Sequence, residues 1–370
     1  MDRKFLATTF TLTGTIIGAG ILGLPYVFAK SGMLIGSLWL LILGVIMIYV
    51  NLCLGEISLS TKERHQLAGY AGKYLGKNYK KLMFFAVVFG VYSALIAYLI
   101  GEGQSLSQLF TGTLDYSIYF ALGFWLLMTL LLRKGLKELK KVEIWGVGII
   151  IILILGIFIF YFPKINFQNY YYNDLNSLFF PFGVILFALL GFTSIPELRE
   201  EIKGSEKKLK KAIIIGTLIP IILYIMFSFI FVGVLGKNVT EVATLSFGSL
   251  ITILGIFTML TSYFVLSFSL NDIYQYDVLC SNKIRFFLVS LFPLIIYLVL
   301  FYFNQLDFVS ILGIGGVISG GLTGILILLI TRKVKQNSTR KSEYKMKISW
   351  PIIIFLTIIF ILGIITQFIY

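Results

Sequence analysis

The chain has 370 residues and a net charge of +14; 58% of the residues are hydrophobic, only 13% are charged, and the mean hydropathy is +0.94. A soluble domain carries about 25% charged residues, so this composition excludes an ordinary water-soluble domain and predicts a protein surrounded by lipid. Two cysteines and one histidine cannot form a disulfide framework or a metal cluster. Because no hydrolase or phosphate-binding motif occurs either, we expect no enzyme, no catalytic residue and no bound cofactor.

Eleven stretches are apolar over roughly the 20 residues that a membrane-crossing helix needs. In chain order they are residues 5–29, 33–59, 82–110, 116–132, 142–162, 177–197, 212–236, 246–271, 285–303, 307–331 and 348–370. The first is too long for a signal-peptide core and is taken as a retained helix. Residues 64–79 are predicted to form an amphipathic helix at the membrane interface rather than part of a site.

The basic residues predict the orientation of these helices. With the N-terminus in the cytoplasm, all 31 lysines and arginines except Lys30, Lys164 and Lys237 fall in cytoplasmic segments, as the positive-inside rule requires. Eleven spans then place the C-terminus outside the cell, in a plasma-membrane protein. A basic face against anionic lipid accounts for the net charge, so the bilayer and not a nucleic acid is the expected partner.

The first stretch is a poor sequence for a continuous helix. Gly14, Gly18, Gly20 and Gly23 precede Pro25 within twelve residues, and both residue types weaken a helix interior. Gly14 and Gly18 also fit the small-residue spacing of packed membrane helices, which is the alternative interpretation. Gly20 and Pro25 do not need that spacing, so we predict an unwound segment in the middle of the span.

The sixth stretch repeats the pattern. Gly191 and Pro196 have the same separation as Gly20 and Pro25. Because the two copies lie five spans apart, the second enters the membrane from the opposite side. Paired interruptions in inverted halves are the strongest sequence indication of a transporter's binding site.

A broken helix offers carbonyl groups at one end and N–H groups at the other. We expect the amides of Ala19, Gly20 and Ile21 to hold a carboxylate. The carbonyls near residues 16–17 and 187–188 are expected to hold an ammonium group. An α-amino acid carries its two charged groups on adjacent carbons and matches this backbone site.

At these residues the chain resembles a known family. Residues 14–25, GTIIGAGILGLP, resemble the first-helix signature of amino acid permeases in the amino acid–polyamine–organocation superfamily. They are most similar to its hydroxy/aromatic amino acid permease and amino acid/auxin permease branches. The likeness continues in residues 98–103, 190–197, 261–262 and 270–272.

The resemblance implies an all-α membrane protein with the LeuT-type fold. Two inverted five-helix repeats, about residues 5–162 and 177–331, would form one domain with broken helices 1 and 6, and residues 348–370 would add an extra helix. The implied function is secondary active transport of a neutral amino acid, aromatic or aliphatic, by alternating access coupled to Na⁺ or H⁺. A non-transporting amino acid sensor of the same fold is the alternative. The oligomeric state stays open.

The breaks and the resemblance together give the predicted site residues. The substrate set is Thr15, Ile17, Gly18, Ala19, Gly20, Ile21, Tyr98, Glu102, Phe187, Ala188, Gly191, Phe192 and Thr193. The resemblance also implies a sodium site at Gly14, Ile17, Thr258, Thr261 and Ser262, whose hard oxygen ligands suit a small cation. Capping or packing of the helices is the alternative for these hydroxyls. The fifth span lacks the lysine that replaces sodium in some proton-coupled relatives, which favours sodium.

Single polar residues in the spans leave alternatives open. Glu102 is either a carrier of the coupling proton or a solvated carboxylate of an outer vestibule. Tyr98 either closes over the substrate with its hydroxyl or is a core tyrosine. Glu56 and Glu197 are interpreted as salt-bridged gate residues or helix-end anchors beside nearby basic residues, with substrate contact as the alternative, and His65 as a solvated loop residue.

Overall fold

The computed structural model describes residues 3–133 and 139–369, without the side chains of residues 139–146, 276 and 277. Lys134 and Lys137, which the sequence places in a cytoplasmic segment, therefore lie outside the described residues. The described chain is helical, with short 3₁₀ and π-helical turns and an isolated β-bridge between Gly32 and Asn173.

The helices follow the apolar stretches of the sequence. They are α1 (Arg3–Ile16), α2 (Gly20–Ser31), α3 (Met33–Ser60), α4 (Leu67–Leu75), α5 (Lys77–Thr111), α6 (Ser117–Arg133), α7 (Leu139–Tyr161), α8 (Phe182–Ala188), α9 (Ile195–Glu201), α10 (Leu209–Leu235), α11 (Ser249–Asp272), α12 (Asn282–Phe286), α13 (Phe292–Tyr302), α14 (Phe308–Gly315), α15 (Leu322–Asn337) and α16 (Trp350–Gln367). One π-helical turn joins α12 to α13 and another joins α14 to α15, so each pair runs on as one rod.

Among the described residues, eight helices are long and apolar enough to cross a membrane, and nine if the bent pair α1–α2 counts as one span. Helix α6 is apolar but has only 17 residues, and α8 and α9 have seven residues each. These three helices lie at the predicted fourth and sixth spans. The observed helices thus support a multi-pass membrane protein.

The predicted helix over residues 64–79 is wrong in its bounds. Gly76, with a φ of +101°, ends α4 and separates it from α5, which begins at residue 77. Leu67, Ala68 and Tyr70 are buried, because α4 packs against α5 and α15. The apolar face of α4 therefore covers protein rather than lipid.

The two interrupted elements lie side by side in the centre of the helix bundle. Helix α1 packs against α9, while α2 packs against α8. The first half of each element thus meets the second half of the other, so the two run in opposite directions. Helix α10 packs against both α1 and α2, and α5 and α11 pack against each other.

The segment before α16 is fixed to the end of α3 by polar contacts. The Thr339 and Arg340 amides donate to Ser60 O at 3.1 and 2.9 Å, and the Arg340 guanidinium donates to Leu59 O at 2.7 Å. Further along, the Tyr344 hydroxyl donates to Leu52 O at 2.8 Å. The bonds to Leu59 and Ser60 satisfy carbonyls that the last turn of a helix leaves without partners.

We predict that Arg340→Ala lowers the thermal stability of the purified protein. The change removes the side-chain donor of Leu59 O and the ion pair with Glu343, a loss of about 1–3 kcal/mol. Thermal unfolding in detergent measures it, with the neighbouring exposed Lys341→Ala as the control. Equal melting temperatures for the two variants would show that this contact does not stabilise the fold.

Candidate functional site

The first interruption separates α1 from α2 at residues 17–19, and the two helix axes meet at 55°. The predicted unwinding is therefore confirmed. Pro25 lies inside α2 and the break comes before it, at the glycine-rich residues.

Hydrogen bonds at this break no longer follow the helical pattern, in which each N–H donates to the carbonyl four residues earlier. The Gly18 N–H donates to Ile16 O at 3.0 Å, and the Ile21 N–H donates to Gly18 O at 3.4 Å. The Ala19 N–H donates to the Tyr98 hydroxyl at 3.3 Å. As a result, the carbonyls of Gly14, Thr15 and Ile17 no longer accept a hydrogen bond from the N–H group four residues later.

The second interruption, between α8 and α9, covers residues 189–194. The Leu190 N–H donates to Phe187 O at 3.1 Å, only three residues back. The Ser194 hydroxyl donates to Gly191 O at 2.9 Å and closes a turn before α9. Both predicted breaks are present, and both are made of tight turns.

Two glycines pack the breaks against each other reciprocally. A Cβ atom on Gly20 would lie 2.4 Å from the Cα of Ala188, the last residue of α8. A Cβ atom on Gly191 would lie 2.5 Å from the Cγ1 atom of Ile16, the last residue of α1. Each glycine of the repeated pattern thus touches the helix end that precedes the other break, and only a residue without a side chain permits this approach.

Tyr224 on α10 joins the two breaks by its hydroxyl group. The oxygen lies 2.7 Å from Ile16 O and 3.0 Å from Ala188 O, in donor positions to both. These carbonyls belong to the group predicted to hold an ammonium ion, and in this structure the tyrosine occupies them. Tyr224 was not among the predicted site residues. The sequence feature that could have pointed to it is a hydroxyl-bearing residue four positions after Pro220 in an apolar span.

A cavity of about 640 Å³ reaches the first break from one end of the bundle. Its inner wall includes Thr15, Gly18 and Tyr98, and its outer end is lined by the exposed residues Arg64 and Glu197. The other lining residues that matter here come from α1, α4 and α11, from the two breaks and from the residue before α4: Thr11, Gly14, Ile17, Gln66, Leu67, Ala68, Thr193, Ser194, Thr261, Ser262, Ser269 and Asp272. The start of α4 therefore lines the cavity, whereas the sequence predicted that this segment takes no part in a site.

The opposite side of the breaks is closed by packed helices. A Cβ atom on Gly23 of α2 would lie 3.3 Å from both Leu312 of α14 and Val184 of α8. None of the described residues of α2, α8 or α14 lines the cavity, which therefore ends at the breaks.

Part of the predicted substrate set lines this cavity. Thr15, Ile17, Gly18, Tyr98 and Thr193 do so. The remaining residues lie behind the breaks or in the packed core: Ala19, Gly20, Ile21, Glu102, Phe187, Ala188, Gly191 and Phe192. Gly20 and Gly191 serve to bring the breaks together, since their faces are covered by Ala188 and Ile16.

The predicted sodium ligands are also divided. Gly14, Ile17, Thr261 and Ser262 line the cavity, whereas Thr258 does not. The Thr258 and Thr261 hydroxyls donate to carbonyls of their own helix, at 2.8 Å to Leu254 O and 3.1 Å to Phe257 O. The hydroxyl oxygens keep free lone pairs in this arrangement, so these bonds do not prevent them from acting as ligands.

Glu102 is fully buried, and neither carboxyl oxygen has a hydrogen-bond partner among the described residues. The outer-vestibule interpretation is therefore wrong for this structure. Glu102 lies one turn beyond Tyr98 on α5 and outside the cavity wall.

The acidic residues near the basic helix ends have separate roles. Glu56 accepts a hydrogen bond from the Met346 N–H at 2.7 Å, so it anchors the segment before α16 through a backbone amide rather than an ion pair. Glu197 lines the cavity. His65 lies 3.3 Å from Glu63, and the Lys73 ammonium holds the pKa of Glu63 below its usual value.

An acidic pair lies in the loops at the closed end. Glu241 accepts a hydrogen bond from the Phe308 N–H at 3.0 Å, and Asp307 caps α14 by accepting from the Ser310 N–H at 2.8 Å. Burial and the adjacent Asp307 carboxylate raise the pKa of Glu241 to about 7. Together they satisfy the first amides of α14.

Known proteins similar to this chain are transporters. The chain is 25% identical to "Glutamine transporter 2" of Aliivibrio fischeri, over 94% of both chains. It is 24% identical to "Tyrosine-specific transport system 1" of Haemophilus influenzae, over 64% of this chain and 59% of that protein. A crystal structure of a mutant manganese transporter of Eremococcus coleocola superposes with a TM-score of 0.66 at 13% identity, covering 99% of this chain and 88% of that one. The last likeness concerns the fold.

The model of the tryptophan/tyrosine permease family matches residues 1–368. This match agrees with the resemblance to amino acid permeases drawn from residues 14–25, and it points to a transporter rather than an enzyme. The chain belongs to the tryptophan/tyrosine permease family.

Proposed function

We propose that this protein is a secondary active transporter that moves a neutral amino acid across the plasma membrane by alternating access. The observation that carries the proposal is the cavity that reaches the first break and ends there. Backbone groups without helical partners are tolerated at membrane depth only where protein, water or a ligand satisfies them. Gly14, Thr15 and Ile17, whose carbonyls have no helical donor, line this cavity, so a ligand or water held there would satisfy those carbonyls.

The zwitterionic part of an amino acid fits this wall of the cavity. Its carboxylate would accept a hydrogen bond from the Tyr98 hydroxyl, which itself accepts one from the buried Ala19 amide in the present structure. Its ammonium group would donate to the carbonyls of Thr15 and Gly18. Two relatives are named for glutamine and for tyrosine. The side chains of these two amino acids differ in shape, so the common element of recognition is the amino acid backbone.

Alternating access is supported by the asymmetry of the bundle. One end of the site is open past Arg64 and Glu197, and the other is packed at Gly23. The positive-inside rule, applied to the basic residues of the sequence, favours a cytoplasmic location for the open end. The structure would then represent the inward-facing state, and rotation of α1, α2, α8 and α9 as a unit would close it.

We propose that the coupling ion binds the carbonyls of Gly14 and Ile17 together with the hydroxyls of Thr261 and Ser262, since all four residues line the cavity. Such oxygen ligands suit Na⁺. The buried Glu102 is the alternative carrier for a coupling proton.

The proposed topology has eleven spans in a LeuT-type arrangement. The nine spans recognised by length, with α6 and the α8–α9 pair added, give that number. The opposite directions of the two broken elements support two inverted five-helix repeats, with α16 as an additional helix. The N-terminus would be cytoplasmic and the C-terminus outside.

We predict saturable uptake of labelled tyrosine, tryptophan or glutamine into proteoliposomes, driven by an inward Na⁺ gradient. A pH gradient without Na⁺ is the second arm and would drive uptake if Glu102 carries the coupling proton. The control is empty liposomes with the same gradients. Absence of both uptake and counterflow for all twenty amino acids, with thermal stabilisation by one of them, would contradict transport and indicate the sensor function.

Replacing Gly20 by alanine is expected to lower uptake at least tenfold. The new methyl group would lie 2.4 Å from the Ala188 Cα, and overpacking of this kind costs about 1–3 kcal/mol or separates the breaks. Uptake per amount of reconstituted protein measures the effect. Gly156→Ala is the matched control, because a Cβ there meets no atom within 4 Å. Equal uptake by the two variants would show that transport does not depend on close packing at Gly20.

Removing the Tyr224 hydroxyl as Tyr224→Phe should lower both the melting temperature and the uptake rate. Two carbonyls at membrane depth would lose a donor that they share, which costs about 1–3 kcal/mol. The control is Tyr297→Phe. The Tyr297 side chain is also buried, but its hydroxyl has no hydrogen bond within the described residues. Indistinguishable thermal and transport data for these two variants would contradict the joining role of Tyr224.

A further inference from the structure

A second, smaller cavity of about 150 Å³ lies between α6, α11 and the start of α12, away from the two breaks. A water molecule's share of the liquid is about 30 Å³, so the cavity has room for a group of several heavy atoms. Its lining residues are Thr129, Leu132, Arg133, Ser267, Phe268, Asn271, Asn282, Arg285, Phe286, Val289 and Ser290. None of them lines the larger cavity.

The charge of this lining is positive. Arg133 and Arg285 face the cavity from different helices, and the described lining residues include no carboxylate. The Arg133 guanidinium lies 4.5 Å from the centre of the Phe286 ring, which orients it without neutralising it. The Arg285 guanidinium donates to the neutral amides of Gln275 and Asn282, and its Nε–H has no partner within the described chain.

Ser267 supplies an independent indication of a ligand. Its side chain is fully buried and lines the cavity, yet its hydroxyl has no hydrogen-bond partner in the described part of the structure. Buried polar atoms are nearly always paired. A hydroxyl donor that lines the same cavity as two arginines suits an oxyanion, since guanidinium groups bind phosphate with two parallel bonds.

The surroundings of the cavity are apolar. Leu127 and Leu130 on α6 are about half exposed, at 48% and 49%, as are Ile284 at 50% and Phe287 at 43% on the other wall. In a membrane-crossing bundle such side chains face acyl chains. A ligand held here would therefore have its charged group against the arginines and its remainder against lipid.

We propose that this cavity binds the phosphate group of an anionic phospholipid. The cavity lies at the end of the bundle where basic residues occupy the helix ends. Basic pockets between membrane helices at the cytoplasmic side bind such headgroups. The phosphate oxygens accept from the Arg133 and Arg285 guanidinium groups and from the Ser267 hydroxyl. The assignment does not depend on the transported substrate, because the cavity is separate from the breaks.

The test measures phosphatidylglycerol binding to the detergent-purified full chain by native mass spectrometry and by thermal shift. Wild-type protein is expected to retain phosphatidylglycerol and to melt at a higher temperature with it, but not with phosphatidylcholine. The double variant Arg133→Gln with Arg285→Gln should bind phosphatidylglycerol at least tenfold more weakly, because charge-assisted bonds to two guanidinium groups are lost.

Arg332→Gln is the matched control, since Arg332 also stacks on an aromatic ring, that of Trp350, at 4.5 Å. It should bind phosphatidylglycerol as the wild type does. Ser267→Ala should leave the lipid-free melting temperature unchanged and reduce the shift with lipid, so the proposal stays testable if the double variant misfolds. Equal affinity in the cavity variants and in Arg332→Gln would overturn the site. The same thermal shift with inorganic phosphate alone would overturn the lipid assignment in favour of a soluble anion.

Discussion

Two helices that lose their hydrogen bonds at membrane depth need partners, and in this protein they find many of them in each other. A bilayer core offers no water to unpaired peptide groups. Gly20 and Gly191 allow the two breaks to touch, and the Tyr224 hydroxyl lies between the carbonyls of Ile16 and Ala188. The contact between the breaks is the constraint around which the helices pack.

This contact divides the backbone groups of the first break into two sets. The Ile16 carbonyl is bonded to Tyr224 on α10. The Gly14, Thr15 and Ile17 carbonyls belong to residues of the cavity wall. The bonded carbonyl joins the helices, whereas the carbonyls at the cavity wall are available to a ligand. The same interruption thus serves both the packing of the bundle and the proposed binding. A rotation that carries both breaks as a unit would preserve the first set while it closes the cavity over the second.

The sequence predicted the elements that depend on local properties. Helix bounds followed apolar length, and the shared Gly–Pro spacing located both breaks, because glycine and proline weaken a helix wherever they occur. Features that depend on distant contacts were missed. Tyr224 bonds to carbonyls that are 208 and 36 residues away in sequence. The start of α4 was excluded from the site, and Glu102 could not be placed, because the burial of one residue on α5 depends on which helices cover it.

The account rests on a ligand at the first break, and an electron cryo-microscopy map of the protein in nanodiscs with its transported amino acid tests this most directly. The account predicts ligand density between Tyr98 and the carbonyls of residues 14–18, with α1 and α2 still separate and Gly20 still against Ala188. Ligand density at another place in the bundle, or a continuous helix through residues 14–20, would contradict it.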